Sequence, residues 1–120
     1  MNESGNLDLK IRTKKFALRI IRLYKALPNS VEAQIIGKQI LRSGTSVGAQ
    51  YREGTRARST AEFISKIESA SQELEETMYW FELLIESEVF KPEKLQDLHN
   101  EADELMAIFV SSVKKAKERK

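Results

Sequence analysis

His99 is the only histidine in the chain, so it is the first residue to test for metal binding or catalysis. Helical bundles that bind two iron ions use inward carboxylates and Glu-x-x-His motifs on two helices. Here Gln96 stands three residues before His99, and there is no second histidine. We therefore exclude a di-iron site, interpret His99 as a solvated surface residue, and expect neither a metal ion nor a cofactor.

Carboxylates and glycines provide no stronger catalytic signal. Eight glutamates fall between residues 62 and 88, a density typical of a solvated helix face, and nothing marks a buried acid–base pair among them. The spacing Gly44-x-x-x-Gly48 lacks the Lys-Ser/Thr ending of a phosphate-binding loop. The sequence accordingly predicts a protein that is not an enzyme.

Basic residues form a clearer pattern. Four of them recur at helical steps of 3, 4 and 3 near the N-terminus, and three more cluster around residues 52–58. Such a surface can neutralise phosphates and bind nucleic acid with little sequence selectivity. The alternative is that these charges serve solubility and pair with acidic residues inside the bundle. The candidate nucleic-acid-binding residues in the two groups are Arg12, Lys15, Arg19 and Arg22, then Arg52, Arg56 and Arg58.

Four helices must position these residues. Prolines 28 and 92 mark boundaries, and apolar residues recur every three or four positions on either side of them. Helices are predicted over about 7–27, 31–56, 60–88 and 92–117. Ser30 is expected to cap the second helix, and Ser59 with Glu62 forms a capping box before the third. The predicted core stripe is Phe16, Ile20, Leu23, Leu27, Ile36, Ile40, Ser43 or Gly44, Val47, Tyr51, Phe63, Ile67, Ala70, Leu74, Met78 or Thr77, Phe81, Leu84 or Ile85, Leu95, Leu98, Ala102, Leu105, Phe109 and Val113.

The second helix is rich in glycine, and this leaves two interpretations open. Each glycine costs up to about 1 kcal/mol in an exposed helix interior. Either the small residues 43–49 let another helix approach closely, or the helix breaks near Gly44. No segment alternates as a strand does, so four amphipathic helices can bury their stripes only against one another. We predict an all-α, antiparallel up-down-up-down four-helix bundle, with one domain spanning residues 1–120.

Some apolar residues of the first and third helices point away from the predicted core stripe. On the first helix they lie among lysines, and on the third helix they lie among glutamates. The outer face of the first helix therefore has apolar residues bordered by lysines, which we call the positive rim. The outer face of the third helix has apolar residues bordered by glutamates, which we call the negative rim. We expect helix one of one subunit to dock on helix three of the next, a head-to-tail contact that closes into a ring. Isolated exposed apolar residues are the alternative. The predicted oligomer-interface residues are Ile11, Leu18, Ile21, Tyr79 and Leu83.

The net charge of +2 conceals a strong separation along the 120 residues. Residues 7–58 carry +9, residues 59–113 carry −10, and the tail from residue 114 carries +4. Such asymmetry concerns partners or self-association more than fold. The absence of cysteine favours a reducing, cytoplasmic compartment. No secretory signal or stretch of about 20 apolar residues is visible, so we expect no membrane association.

Two segments resemble a known family. Residues 39–54 read QILRSGTSVGAQYREG and residues 76–84 read ETMYWFELL; with Phe16, Leu23 and Tyr24 they resemble the bacterial four-helix bundles encoded in 23S rRNA intervening sequences, also labelled S23 ribosomal proteins. The resemblance spans roughly residues 16–110. Gln50 departs from the family pattern, which usually has asparagine there.

The resemblance implies a small cytoplasmic bundle without catalytic activity that assembles as a ring, typically a homopentamer. It also implies kinship with the accessory protein of diversity-generating retroelements, which works with a reverse transcriptase and nucleic acid. Arg42, Arg52 and Glu53 match the family motif, and Arg42 joins the candidate nucleic-acid-binding set. The predicted function is binding of RNA, or DNA or a ribosomal partner, through the basic surface. The alternative is an oligomeric protein scaffold, or a reverse-transcriptase accessory protein, that binds no nucleic acid by itself.

Overall fold

A computed structural model describes the backbone of residues 3–119 and the side chains of residues 7–119. Those residues form a bundle about 49 Å long and 21 by 19 Å across. Short connections join successive helices, which makes the bundle antiparallel, and the predicted all-α up-down-up-down fold is confirmed. The four helices are α1 (Glu3–Lys25), α2 (Val31–Thr55), α3 (Thr60–Glu86) and α4 (Pro92–Glu118).

Helix α2 runs unbroken through its glycines, so the expected close packing occurs and the break does not. A Cβ atom on Gly44 would lie only 2.7 Å from Cγ1 of Ile20, and one on Gly48 would lie 3.1 Å from Oγ1 of Thr13. Side chains of α1 therefore occupy the space that side chains on α2 would fill. This contact compensates for the low helix propensity of glycine.

The helix starts follow their capping residues, with one correction. The Oγ atom of Ser30 accepts a hydrogen bond from the Ala33 amide, and that of Ser59 accepts one from the Glu62 amide at 3.0 Å. The Glu62 carboxylate accepts from the amide of Arg58 at 3.2 Å, one residue before the position that a capping box requires. Helix α4 begins at Pro92 as predicted.

The predicted stripe forms the core, with two of its members less buried than the rest. Ile36 and Phe63 are only partly buried. The rings of Tyr51 and Phe109 stack within the core, towards the end of the bundle where α2 and α4 terminate, with their centroids 5.7 Å apart. Burial, together with the charge of Asp8, raises the pKa of Tyr51 to about 12, so its phenol is neutral at physiological pH.

A pair of hydroxyls joins α2 to α3 inside the core. Ser43 and Thr77 are both fully buried, and their side-chain oxygens lie 2.7 Å apart. Thr77 also donates to the carbonyl oxygen of Glu73 at 2.7 Å. Because a hydroxyl has one hydrogen, Ser43 must be the donor to Thr77. The two buried hydroxyls thus satisfy each other and fix how α2 lies along α3.

The helices are not equally in contact. Helix α2 packs along both α1 and α3, and α3 packs along α4, whereas α1 and α4 approach each other closely at only a few positions. The bundle is therefore more open along the seam between α1 and α4. None of the helices, over the described residues, has an apolar stretch that would cross a bilayer.

We predict that Gly44→Leu lowers the free energy of unfolding by about 2 kcal/mol or more, because the new side chain must displace Ile20. Ala49→Leu, at an exposed position of the same helix, is the matched control and should change it by less than about 0.5 kcal/mol. Urea unfolding followed by circular dichroism measures both. Adding Ile20→Ala should recover part of the Gly44→Leu loss; equal stability of Gly44→Leu and wild type would show that the helices are not in close contact here.

Candidate nucleic-acid and assembly surfaces

Three of the four basic residues on the α1 stripe are available to a ligand. Lys15 and Arg22 are exposed and Arg19 is partly buried. Among the side chains of residues 7–119, none of the three has an ion-pair partner. They form a continuous cationic edge along α1, which is the geometry that phosphate binding requires.

Arg12 is placed differently. Its Nη2 atom lies 2.7 Å from Oε1 of Glu101 and 3.1 Å from Oε1 of Glu104, and its Nε atom lies 3.1 Å from Oε2 of Glu101. The hydrogen bond to Glu101 raises the pKa of Arg12, so the guanidinium stays charged. Only 22% of the Arg12 side chain is exposed. This bidentate pair links α1 to α4 and neutralises the charge that the sequence assigned to nucleic acid.

Arg42 is also neutralised within the bundle. Its guanidinium pairs with Glu76 and with Glu73 on α3. The indole N–H of Trp80 donates to the same Glu76 carboxylate at 3.1 Å. That bond, with a contribution from Arg42, lowers the pKa of Glu76, and the hydrogen bond to Glu76 raises the pKa of Arg42. For Arg12 and Arg42, then, the structure shows the alternative of pairing inside the bundle.

A second basic group lies where α2 ends. Arg52, Arg56 and Arg58 are exposed, and none has an ion-pair partner among the described side chains. Glu53, by contrast, accepts from Nζ of Lys66 on α3 at 2.6 Å. The hydrogen bond to Glu53 raises the pKa of Lys66. Glu53 therefore has a bundle-internal partner, while the three arginines extend from the end of α2 into the connection to α3.

The predicted assembly residues lie outside the core, but to different extents. Ile11, Leu18 and Tyr79 are exposed, by 45%, 42% and 52%, whereas Ile21 and Leu83 are partly buried. The exposed rim residues are lysines on α1 and glutamates on α3. The surface also holds exposed apolar residues that periodicity did not single out, on α1, α2 and α4: Leu7, Val31, Ile35 and Val110.

His99 lies on the surface of α4. Its Nδ1 atom is 3.3 Å from Oδ2 of Asp103, one turn further along the same helix. Among the described residues, no three histidine, aspartate or glutamate side chains are close enough to hold a metal ion. The surroundings of His99 are those of a partly exposed side chain with a local carboxylate partner.

Comparison with known proteins shows which family the chain belongs to. The sequence profile of the 23S rRNA-intervening sequence proteins matches residues 5–111. The chain belongs to that family. The resemblance seen in residues 39–54 and 76–84 is thereby confirmed.

A solved structure supports the membership. It is a protein of unknown function from the S23 ribosomal protein family of Bacteroides thetaiotaomicron, 42% identical in sequence, with a TM-score of 0.83. The match covers 88% of this chain and 98% of that one, so the bundle accounts for nearly all of its relative. No curated protein matches the chain. The fold is therefore that of the 23S rRNA-intervening sequence protein family, and function is inferred from the surfaces described above.

The Glu76 network makes a prediction about acid stability. The pKa of Glu76 is lower in the folded protein than its usual value of 4.5, so the ionised carboxylate stabilises the fold at any pH above that value. This contribution is lost as the pH falls through the lower pKa of the folded state. Trp80→Phe removes the main donor, so its free energy of unfolding should fall less than that of wild type between pH 6.5 and pH 3. Tyr79→Phe, which leaves the Trp80–Glu76 bond in place, should follow wild type. Parallel losses in wild type and Trp80→Phe would contradict the network.

Proposed function

We propose that this protein is a non-enzymatic, cytoplasmic, ring-forming bundle that binds RNA through its basic surface. The observation that carries the proposal is the set of exposed cations without ion-pair partners among the described side chains on α1 and at the end of α2. Phosphate neutralisation by such residues gives affinity with little sequence selectivity.

Ion pairs within the subunit reduce the set of residues that we propose for RNA binding. Arg12 and Arg42 already pair with carboxylates of the same bundle, so they stabilise the fold rather than contact phosphate. If RNA phosphates bound Arg12 and Arg42, the carboxylates that now pair with these arginines would be left unpaired next to a polyanion. The remaining phosphate-contacting residues are Lys15, Arg19, Arg22, Arg52, Arg56 and Arg58.

Assembly multiplies this surface. The exposed apolar residues of α1 lie within a positive rim and Tyr79 on α3 lies within a negative rim, so the two faces complement each other in charge. Joining α1 of one subunit to α3 of the next repeats the same contact around a closed ring, and the family resemblance implies five subunits. Weak phosphate contacts on each subunit then sum to useful avidity.

A protein scaffold, such as a reverse-transcriptase accessory subunit without nucleic-acid binding of its own, is the second candidate. The observation that favours it is the additional exposed apolar surface at Val31 and Ile35, which are one helical turn apart on α2. Such a pair fits a protein partner better than a phosphate backbone. The same experiments separate the two functions.

We expect Leu18→Glu to reduce the mass of the assembly to that of a folded monomer, because it places a carboxylate opposite the acidic rim of α3. Leu83→Lys should do the same from the other face. Val110→Glu, at an exposed apolar position of α4 outside both faces, is the control and should leave the mass unchanged. Sedimentation velocity measures mass and circular dichroism confirms folding. A wild-type monomer, or variants with wild-type mass, would contradict the interface.

For RNA binding, we expect the triple substitution of Lys15, Arg19 and Arg22 by glutamine to weaken affinity by about tenfold or more at moderate salt. The slope of log affinity against log salt should fall by about 2 for a single strand if all three contact phosphate. The control is an equal charge change at exposed lysines outside the set, with glutamine at positions 38, 91 and 94.

Arg12→Gln separates a structural role from a binding role. It should lower the free energy of unfolding by about 1–3 kcal/mol, because it strands Glu101, and it should leave RNA affinity near the wild-type value. Fluorescence anisotropy of a labelled RNA, measured over a range of salt concentrations, provides the affinities. Absence of binding even at low salt would overturn the RNA proposal and leave the scaffold.

A further inference from the structure

A groove of about 900 Å³ opens at the end of the bundle where α1 begins and α4 ends. It lies beside the more open seam between these helices, and the connection from α2 to α3 closes it on the third side. This volume falls in the range of pockets that bind small organic ligands or single nucleotides.

Three cations from two parts of the chain line this groove. Arg58 comes from the connection between α2 and α3, Lys115 comes from the last turn of α4, and Arg119 is the residue that caps the end of α4. All three are exposed, and none has an ion-pair partner among the described side chains. A ligand that carries phosphate would therefore meet charges that the bundle itself has not neutralised.

The lining between the cations and α1 is apolar. Leu9 of α1, Phe63 of α3 and Ile108 of α4 all contribute to it. Leu9 is buried, whereas Phe63 and Ile108 are partly buried, so their side chains remain accessible from the groove. The aromatic ring offers a surface on which a planar base can stack, and such stacking tolerates any base.

Carboxylates also line the groove, and Glu104 lies about three turns before Lys115 along α4, further from the end of the bundle. Asp8 belongs to α1, and Glu104 of α4 already pairs with Arg12. These groups repel a second phosphate and accept hydrogen bonds from amino or hydroxyl groups. The complementary ligand is anionic at one end, planar and apolar in the middle, and rich in hydrogen-bond donors at the other end.

We propose that the groove binds an unpaired nucleotide of an RNA strand, with its flanking phosphates against Arg58, Lys115 and Arg119 and its base on Phe63. The inference rests on the proposed RNA-binding function and extends the basic group that Arg52 and Arg56 begin. A base inside a duplex is covered by its neighbours and cannot reach Phe63. The groove therefore selects single-stranded over double-stranded RNA.

The experiment compares a short single-stranded RNA with its duplex on the assembled wild-type protein. We expect the single strand to bind at least several-fold more tightly. Phe63→Leu keeps the site apolar but removes the stacking surface, so it should weaken single-strand binding by about tenfold and leave duplex binding unchanged. Paired Lys115→Gln and Arg119→Gln substitutions should weaken the single strand, and the matched control is Lys38→Gln with Lys114→Gln, both outside the groove.

A crosslinking measurement tests the site without any variant. A single-stranded RNA with a photoactivatable base should crosslink to the peptide that contains Phe63 or to the last turns of α4. Crosslinks confined to the α1 stripe, or equal affinity of wild type and Phe63→Leu for the single strand, would overturn the groove proposal while RNA binding itself still stood. Absence of any RNA binding would overturn the proposed function and this inference together.

Discussion

The bundle depends on one constraint, the small size of the residues that α2 presents to its neighbours around Ser43 and Gly44. Ile20 of α1 packs where a Cβ atom of Gly44 would stand, and on the adjoining face Ser43 shares a buried hydrogen bond with Thr77 of α3. Neighbouring residues of one helix thus set the lengthwise position of two others. A larger residue would separate α1, and an apolar one at Ser43 would leave Thr77 without its donor across the helix pair.

The lengthwise position of each helix determines which charged side chains form ion pairs within the subunit. Once α1 is fixed against α2 and α4 follows α3, Arg12 lies beside Glu101, and once α3 is fixed, Arg42 lies beside Glu73 and Glu76. These pairs neutralise cations inside the subunit. Lys15, about one turn from Arg12, and Arg52, nearly three turns from Arg42, have no ion-pair partner among the described side chains. The distinction between cations that pair within the subunit and cations without a partner among the described side chains is therefore a consequence of helix packing.

The sequence alone predicts the features that depend on apolar periodicity and on capping residues or prolines. Helix starts at Ser30, Ser59 and Pro92 and nearly the whole core stripe follow from local rules, and each predicted helix matches an observed one. Sequence reasoning failed where distance across the bundle matters. Arg12 has the same periodicity as Arg19, and only the position of α4 distinguishes them. The groove was missed for the same reason, since residues from α1, α4 and the connection before α3 form it jointly.

The antiparallel order explains why Lys15, Arg19 and Arg22 of α1 have no ion-pair partner among the described side chains. Helix α1 packs against α2 and meets α4 at few positions, while the glutamate-rich α3 lies diagonally across the bundle from it. The glutamates of α3 therefore lie out of reach of Lys15 and Arg22 within one subunit. Those charges stay at the surface of the subunit, on the side of the bundle away from α3. The separation of charge between the basic α1 and the acidic α3 is thus preserved in the folded subunit, because the antiparallel order keeps the two helices apart.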